Sequence, residues 1–333
     1  MILHLFLPKA LSILIMVMSA MNSGAGVPLR AGAGQFVLRE ISTEHGARRY
    51  KLFIPQSYNG STELPLVVML HGCTQDPDDI ARGTQMNELA DEKSVLVAYP
   101  EQPESANPKK CWNWYDPAHQ QRDRGEPAII AAITRQVMQD YRVDAKRVYV
   151  AGVSAGGAMA VAVALSYPDL YAAVGTHSGI PYKAATSVVE ALGAMQGRGG
   201  EPVALASSAK TAMGAHARAI PAIVFQGASD VVVNPRNAEQ LVAQLSAAQD
   251  QQLAKSAVPV EEKGVSPSGY HYQHVTRGSG DATVELWLVQ ELGHAWSGGS
   301  AAGTFADTRG PSATNEMLRF FLAHPRSSGN VSK

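Results

Sequence analysis

The chain has 333 residues, 45% of them hydrophobic and 17% charged, with a formal net charge of −1. That is ample for one large α/β domain and tight for two. With no long Lys/Arg run, nothing points to nucleic acid or an anionic membrane surface as a partner, and nothing sets an oligomeric state.

The N-terminus reads as a signal peptide over residues 1–25. Lys9 precedes the apolar run Ala10–Met18, and Ser23-Gly24-Ala25 offers a small-x-small cleavage site. The apolar core is too short, and too soon followed by Gly and Ser, to span a membrane comfortably, so no stable membrane partner is expected. An uncleaved anchor is the alternative, because Met1–Leu7 is itself largely apolar. The expectation is a single catalytic domain over 26–333, secreted or periplasmic.

Gln35–Ile41 and Arg49–Pro55 read as an opening antiparallel pair. Strands predicted near 65–70, 95–99, 147–152, 171–176, 221–226 and 283–289 then alternate with helices near 77–91, 127–141, 155–166, 235–253 and 311–323. Such alternation predicts a mostly parallel central sheet with helices on both faces. Residues 178–219, rich in Ala and Gly, are expected to form a small helical insertion, either a lid over the site or a plain surface excursion.

After the strand Leu64–Leu70 comes His71-Gly72-Cys73-Thr74-Gln75. His71 is given no chemical role and is read as packing under this loop. Cys73 and Cys111, 38 residues apart, are the only two cysteines. In an exported protein two cysteines are a natural pair, with two buried free thiols as the alternative. A bridge of that span would contribute roughly 3–4 kcal/mol in the loop-entropy treatment. The segment Cys111-Trp112-Asn113-Trp114-Tyr115 concentrates aromatics. Together with Trp296, its tryptophans Trp112 and Trp114 are read as lining a substrate cleft or, equally, as core packing.

The strand Arg147–Ala151 runs into Gly152-Val153-Ser154-Ala155-Gly156, and a helical stretch follows. Strand, Gly-flanked Ser and helix, in that order, are what a nucleophile elbow requires. A tight turn excludes side chains at Gly152 and Gly156, and the Ser154 hydroxyl would project above the sheet at a helix N-terminus. A serine hydroxyl needs a base, and the base an orienting carboxylate. Asp230 stands directly after the strand Pro221–Gln226 and is the expected acid, with Asp250 and Asp281 as rivals. His294, in a loop just after the strand Thr283–Val289, is the expected base. His4, His45, His119, His177, His216, His271, His274 and His324 fall in the N-terminal apolar segment, on strands and surfaces, or in helical stretches. For an oxyanion hole, the backbone N–H groups expected to serve are those of Ala155 and Cys73, with Gly72 or Thr74 as alternatives to Cys73.

With these residues in view, the chain resembles the polyhydroxybutyrate depolymerase family of esterases within the α/β-hydrolases. The resemblance rests on His71–Gln75, Cys111–Trp114, Gly152–Gly156, Gly227–Asp230 and His294–Gly299, and it spans roughly residues 45–325. It implies an α/β-hydrolase fold with Ser154 as nucleophile, His294 as base, Asp230 as orienting acid and a Cys73–Cys111 disulfide beside the oxyanion hole. It also implies short-chain 3-hydroxyalkanoate polyesters or their oligomers as substrate. Extracellular members usually add a linker and a substrate-binding domain, whereas this chain stops at Ser327–Lys333, which puts efficient attack on solid polymer in question. Feruloyl and acetylxylan esterases share the layout and are the nearest alternative; an acyltransferase and a non-catalytic binding module are more distant ones. No ligand cluster or phosphate loop appears, so no metal or organic cofactor is implied.

Overall fold

The computed structural model describes residues 34–248 and 258–327. The expected signal peptide, and Asp250 among the rival acids, lie outside the described residues. No helix among the described residues is long and apolar enough to cross a membrane.

The frame is a ten-stranded sheet. Its strands are β1 (Gln35–Thr43), β2 (Gly46–Ile54), β3 (Leu64–Leu70), β4 (Leu96–Pro100), β5 (Val143–Val153), β6 (Ala173–His177), β7 (Ala222–Gly227), β8 (Val260–Val265), β9 (His271–Arg277) and β10 (Val284–Val289). They are ordered β1-β2-β4-β3-β5-β6-β7-β10-β9-β8. The six inner strands, from β4 to β10, are parallel. An antiparallel pair closes each edge, β1–β2 on one side and β8–β9 on the other.

Because the inner strands are buried on both faces, their side chains alternate between two cores rather than between core and water. Leu66, Val68 and Leu70 of β3 and Val148 and Val150 of β5 enter one core. Val67, Met69, Tyr149 and Ala151 enter the other. The helices are α1 (Pro77–Thr84), α2 (Met86–Lys93), α3 (Gly125–Asp140), α4 (Ala155–Ser166), α5 (Val188–Met195), α6 (Pro202–Met213), α7 (Arg236–Ala248) and α8 (Ala313–Ala323). Side chains of α3, α4, α6 and α7 fill the first core, and those of α1, α2 and α8 the second.

Two features depart from the sequence reading. The helix expected over 77–91 is two helices, broken at Gln85, which adopts φ 55°. The Thr84 hydroxyl caps the break by donating to the Ile80 carbonyl, and the Gly83 carbonyl is left to accept the Ser300 N–H at 2.8 Å. The β8–β9 hairpin was not anticipated; β8 carries Glu261, Glu262 and Lys263 on an exposed edge strand, so it lacks the apolar signal of the inner strands. The stretch 178–219 is helical as expected, and α6 packs Leu205, Ala209 and Met213 into the core beside α4 and α7.

Cys73 and Cys111 form a disulfide. It joins the loop after β3 to the segment before α3, which the Thr74 N–H also reaches by donating to the Lys109 carbonyl at 2.7 Å. Replacing both cysteines by serine is expected to lower stability by about 3–4 kcal/mol, since the closed loop spans 38 residues. A denaturant titration of the double variant checks this; an unchanged midpoint would contradict it.

Candidate active site

The carboxyl ends of β3, β5, β6, β7 and β10 converge, as expected where parallel strands hand over to loops. Ser154 stands at the end of β5, directly before α4, with φ 57° and ψ −123°. A β-carbon-bearing residue adopts a positive φ only when its surroundings enforce it. Here the enforcement is visible: the Ser154 N–H donates to the His177 carbonyl at 2.9 Å. A Cβ at Gly156 would collide with the carbonyl oxygens of Leu70 and His71, and one at Gly152 with that of Gly156. Only glycines let the turn lie this close to β3.

Around Ser154 the structure assembles a hydrogen-bonded chain. Ser154 Oγ lies 3.0 Å from His294 Nε2, and His294 Nδ1 lies 2.8 Å from Asp230 Oδ2. The second carboxylate oxygen of Asp230 accepts the N–H groups of Val232 (2.9 Å) and Val233 (2.8 Å). Burial, the largest influence on Asp230, works against its charge. The His294 hydrogen bond and charge and the two backbone donors outweigh it, and hold the carboxyl below the usual carboxylate range. Asp281 instead accepts from the Ser327 hydroxyl, away from this chain. Three of the other histidines are engaged elsewhere: His119 Nδ1 accepts the Glu126 N–H, and His271 and His274 pair with Glu291 and Glu285.

Of the three backbone donors considered in the loop after β3, two are occupied. The Gly72 N–H donates to Gln75 Oε1 at 2.9 Å, and the Thr74 N–H to Lys109. Among the described residues, the N–H groups of Cys73 and Ala155 find no such acceptor. The loop's shape is fixed by side chains. His71 Nδ1 donates to the Gly72 carbonyl at 2.7 Å, while its Nε2 accepts the Gln102 N–H at 3.0 Å. Gln75, buried, also donates through Nε2 to the Thr304 carbonyl at 3.1 Å, and so ties this loop to the one that follows His294.

The tryptophans depart from the cleft-lining reading. Trp112 is 0%, Trp296 1% and Trp114 7% exposed. Trp112 Nε1 donates to the His71 carbonyl, and Trp296 Nε1 to the Thr314 hydroxyl. Their role in the structure is to pack beneath the site, because the flanking strands bring the loops that carry them over both cores. The aromatic that faces the site is Phe305, 47% exposed, edge-on to His294 at 6.3 Å between ring centroids. It too holds a positive φ, 49°. Val231, directly after Asp230, is 85% exposed. Neither residue stands in a recognisable motif, so the sequence carried no signal for them.

His177 was also passed over. It is wholly buried, its ring stacked between Phe225 (5.8 Å) and Trp296 (5.2 Å). Burial first, then the nearby His294, push its pKa down to about 3, against a smaller opposing pull from Asp230. Burial likewise lowers the pKa of His71.

The sheet order and elbow define an α/β-hydrolase fold, and solved structures agree. An acetyl xylan esterase from Aspergillus awamori superposes with a TM-score of 0.68 at 19% identity, covering 86% of this chain and 99% of that one. The family model described as Esterase PHB depolymerase matches residues 48–259, and the chain belongs to that family. Poly(3-hydroxyalkanoate) depolymerase C of Paucimonas lemoignei is 30% identical over 232 residues, which are 69% of this chain and 54% of the relative. Feruloyl esterase B of Thermothelomyces thermophilus is 25% identical over 252 residues, 73% of this chain and 82% of that protein. This chain thus spans about half the length of the depolymerase it matches.

Two buried neutral histidines make stability acid-sensitive. A histidine protonated near pH 6.5 when unfolded and near 3 when folded takes up its proton only on unfolding within that window. Its contribution is therefore fully present above about pH 6.5 and declines as pH falls toward about 3, by up to ~1.4 kcal/mol per pH unit. Urea midpoints measured from pH 8 down to pH 4.5 are expected to fall on the acid side. A flat profile would contradict the neutral buried state of His177.

Proposed function

We propose that this protein is a serine carboxylesterase, exported from the cell, that hydrolyses short-chain poly(3-hydroxyalkanoate) or its oligomers. The observation that carries the hydrolase reading is the continuous chain Ser154 Oγ, His294, Asp230 at 3.0 and 2.8 Å. In this reading Ser154 is the nucleophile, His294 the base and Asp230 the orienting acid. Ser154 Oγ bonds to the ester carbonyl carbon while its proton passes to His294 Nε2. The carbonyl oxygen becomes an oxyanion, for which the unoccupied N–H groups of Cys73 and Ala155 are the proposed donors. One such donor is typically worth about 3–4 kcal/mol of transition-state stabilisation.

His294 then returns the proton to the leaving alkoxide as the carbon–oxygen bond breaks, and an acyl-enzyme remains on Ser154. Water, deprotonated by the same imidazole, releases the acid and restores the serine. Asp230, kept ionised, holds the Nδ1–H tautomer and balances the imidazolium that forms. Family membership and the depolymerase relative support the polyester as substrate. The disulfide and the N-terminal apolar segment support export.

A second reading, an esterase of plant polysaccharide esters, is favoured by the feruloyl esterase relative, which this chain covers over 82% of its length. Product release separates the two. On amorphous polyhydroxybutyrate, wild type is expected to liberate soluble 3-hydroxybutyrate or its oligomers, and Ser154→Ala to liberate none. Turnover of methyl ferulate alone would move the enzyme to the second reading. Turnover that survives Ser154→Ala would overturn the mechanism.

We further assign Phe305 and Val231 as apolar contacts for the ester's acyl or alcohol chain, since both are exposed beside the histidine and acid. Phe305→Ala is expected to raise KM for butyrate esters several-fold while leaving kcat within about twofold, as loss of uniform binding does. An unchanged KM would remove Phe305 from the substrate contact.

A further inference from the structure

The buried His177 has a geometry that the catalytic chain itself does not require. It is the last residue of β6, the strand beside β5, which Ser154 directly follows. Its main-chain carbonyl accepts the Ser154 N–H at 2.9 Å. Its ring Nε2 accepts the N–H of Ser297 at 3.1 Å, three residues beyond His294. The same ring is clamped between Trp296, in the histidine loop, and Phe225, on the strand that leads to Asp230. One residue thus touches all three segments that bear Ser154, His294 and Asp230.

We propose that His177 is a positioning residue for the esterase reaction: its Nε2 lone pair anchors the His294 loop to the strand that also holds the nucleophile turn. The proposal rests on the serine esterase reading above. An unprotonated Nε2 is required, because an N–H there would oppose the Ser297 N–H head-on. The neutral ring carries its proton on Nδ1, 3.2 Å from the Ser178 hydroxyl, so both ring nitrogens are satisfied in one tautomer. The anchor matters because proton transfer between Ser154 and His294 depends on a 3.0 Å contact between groups 140 residues apart in the chain. Misplacement by about 1 Å at such a contact costs on the order of 10²-fold in rate. The other ties of this loop run to its own later residues, as Trp296 N–H to the Phe305 carbonyl, or to α1, Gln75 and α8, as Ser300 N–H to the Gly83 carbonyl, Gln75 Nε2 to the Thr304 carbonyl and Trp296 Nε1 to the Thr314 hydroxyl. They shape it without fixing it to β5 or β6.

The test uses the full chain and p-nitrophenyl butyrate, a soluble ester that reads the chemistry apart from polymer binding. His177→Phe keeps a ring for the stack and removes the acceptor. His177→Asn removes reach without adding bulk, and decides the matter if the first variant does not fold. His177→Gln offers Oε1 near the place of Nε2. In the Phe and Asn variants, neither of which places an acceptor where Nε2 stands, kcat is expected to fall about 10–100-fold with KM nearly unchanged and near-ultraviolet circular dichroism retained. His177→Gln is expected to recover most of the lost rate. Wild-type kcat in both the Phe and the Asn variant would overturn the proposal, and so would an equal loss in all three. Wild-type turnover unaffected by Ser154→Ala would overturn the parent reading instead, an outcome visible in the same plate.

Discussion

The constraint on which the site depends is the close approach of the turn after β5 to the end of β3. Gly156 lies against the carbonyls of Leu70 and His71 so tightly that no side chain could be accommodated. That contact forces the positive φ of Ser154, lifts its hydroxyl off the sheet, and sets the start of α4 beside the loop that carries Cys73. A strained serine costs of order 1–3 kcal/mol and persists only because a fully buried parallel sheet over-determines it. Both cores serve that end. With every inner strand packed on two faces, β3, β5, β6 and β7 cannot slide, and the loops at their carboxyl ends inherit the sheet's rigidity.

Upon that rigid edge, polar side chains fix the loops. His71 and Gln75 between them hold both backbone groups of Gly72, the N–H by Gln75 and the carbonyl by His71. With Thr74 drawn to Lys109 and Cys73 bonded to Cys111, the Cys73 N–H is the group left over. The arrangement is one of exclusion: the Gly72 and Thr74 N–H groups are consumed by structure, which leaves the Cys73 N–H for the proposed oxyanion. Preorganised donors of this sort need not reorient when charge develops, and that is the source of their catalytic value. Gln75 also reaches Thr304, so the loop opposite the nucleophile and the loop beyond His294 share a single buried amide.

How much of this was legible follows from what each feature asks of the sequence. The elbow was legible because a turn that tolerates no side chain must be written as glycine, and a strand and helix must flank it. Asp230 and His294 were legible from their positions after apolar strands, and the alternating parallel frame from the strands themselves. The split at Gln85 was not, since it depends on Ser300 arriving at Gly83 from more than 200 residues away. The β8–β9 hairpin was masked by charge on an exposed edge. Tryptophan composition alone could not separate cleft from core, and burial places Trp112 and Trp296 in the core. His177 did carry a signal, a histidine at the carboxyl end of a strand adjacent to the nucleophile strand, but its ring partner is a backbone N–H, which no sequence displays. Phe305 left no trace at all.

The central claim is that Ser154 is activated by His294 and Asp230 on a preorganised edge. It is tested most directly by intact-protein and peptide mass measurement after treatment with a fluorophosphonate, which bonds only to an activated serine. The account predicts a single adduct, mapped to Ser154, that forms in wild type and is lost in His294→Ala while the folded state is retained. An unmodified wild-type protein, or an adduct mapped to another serine, would contradict it.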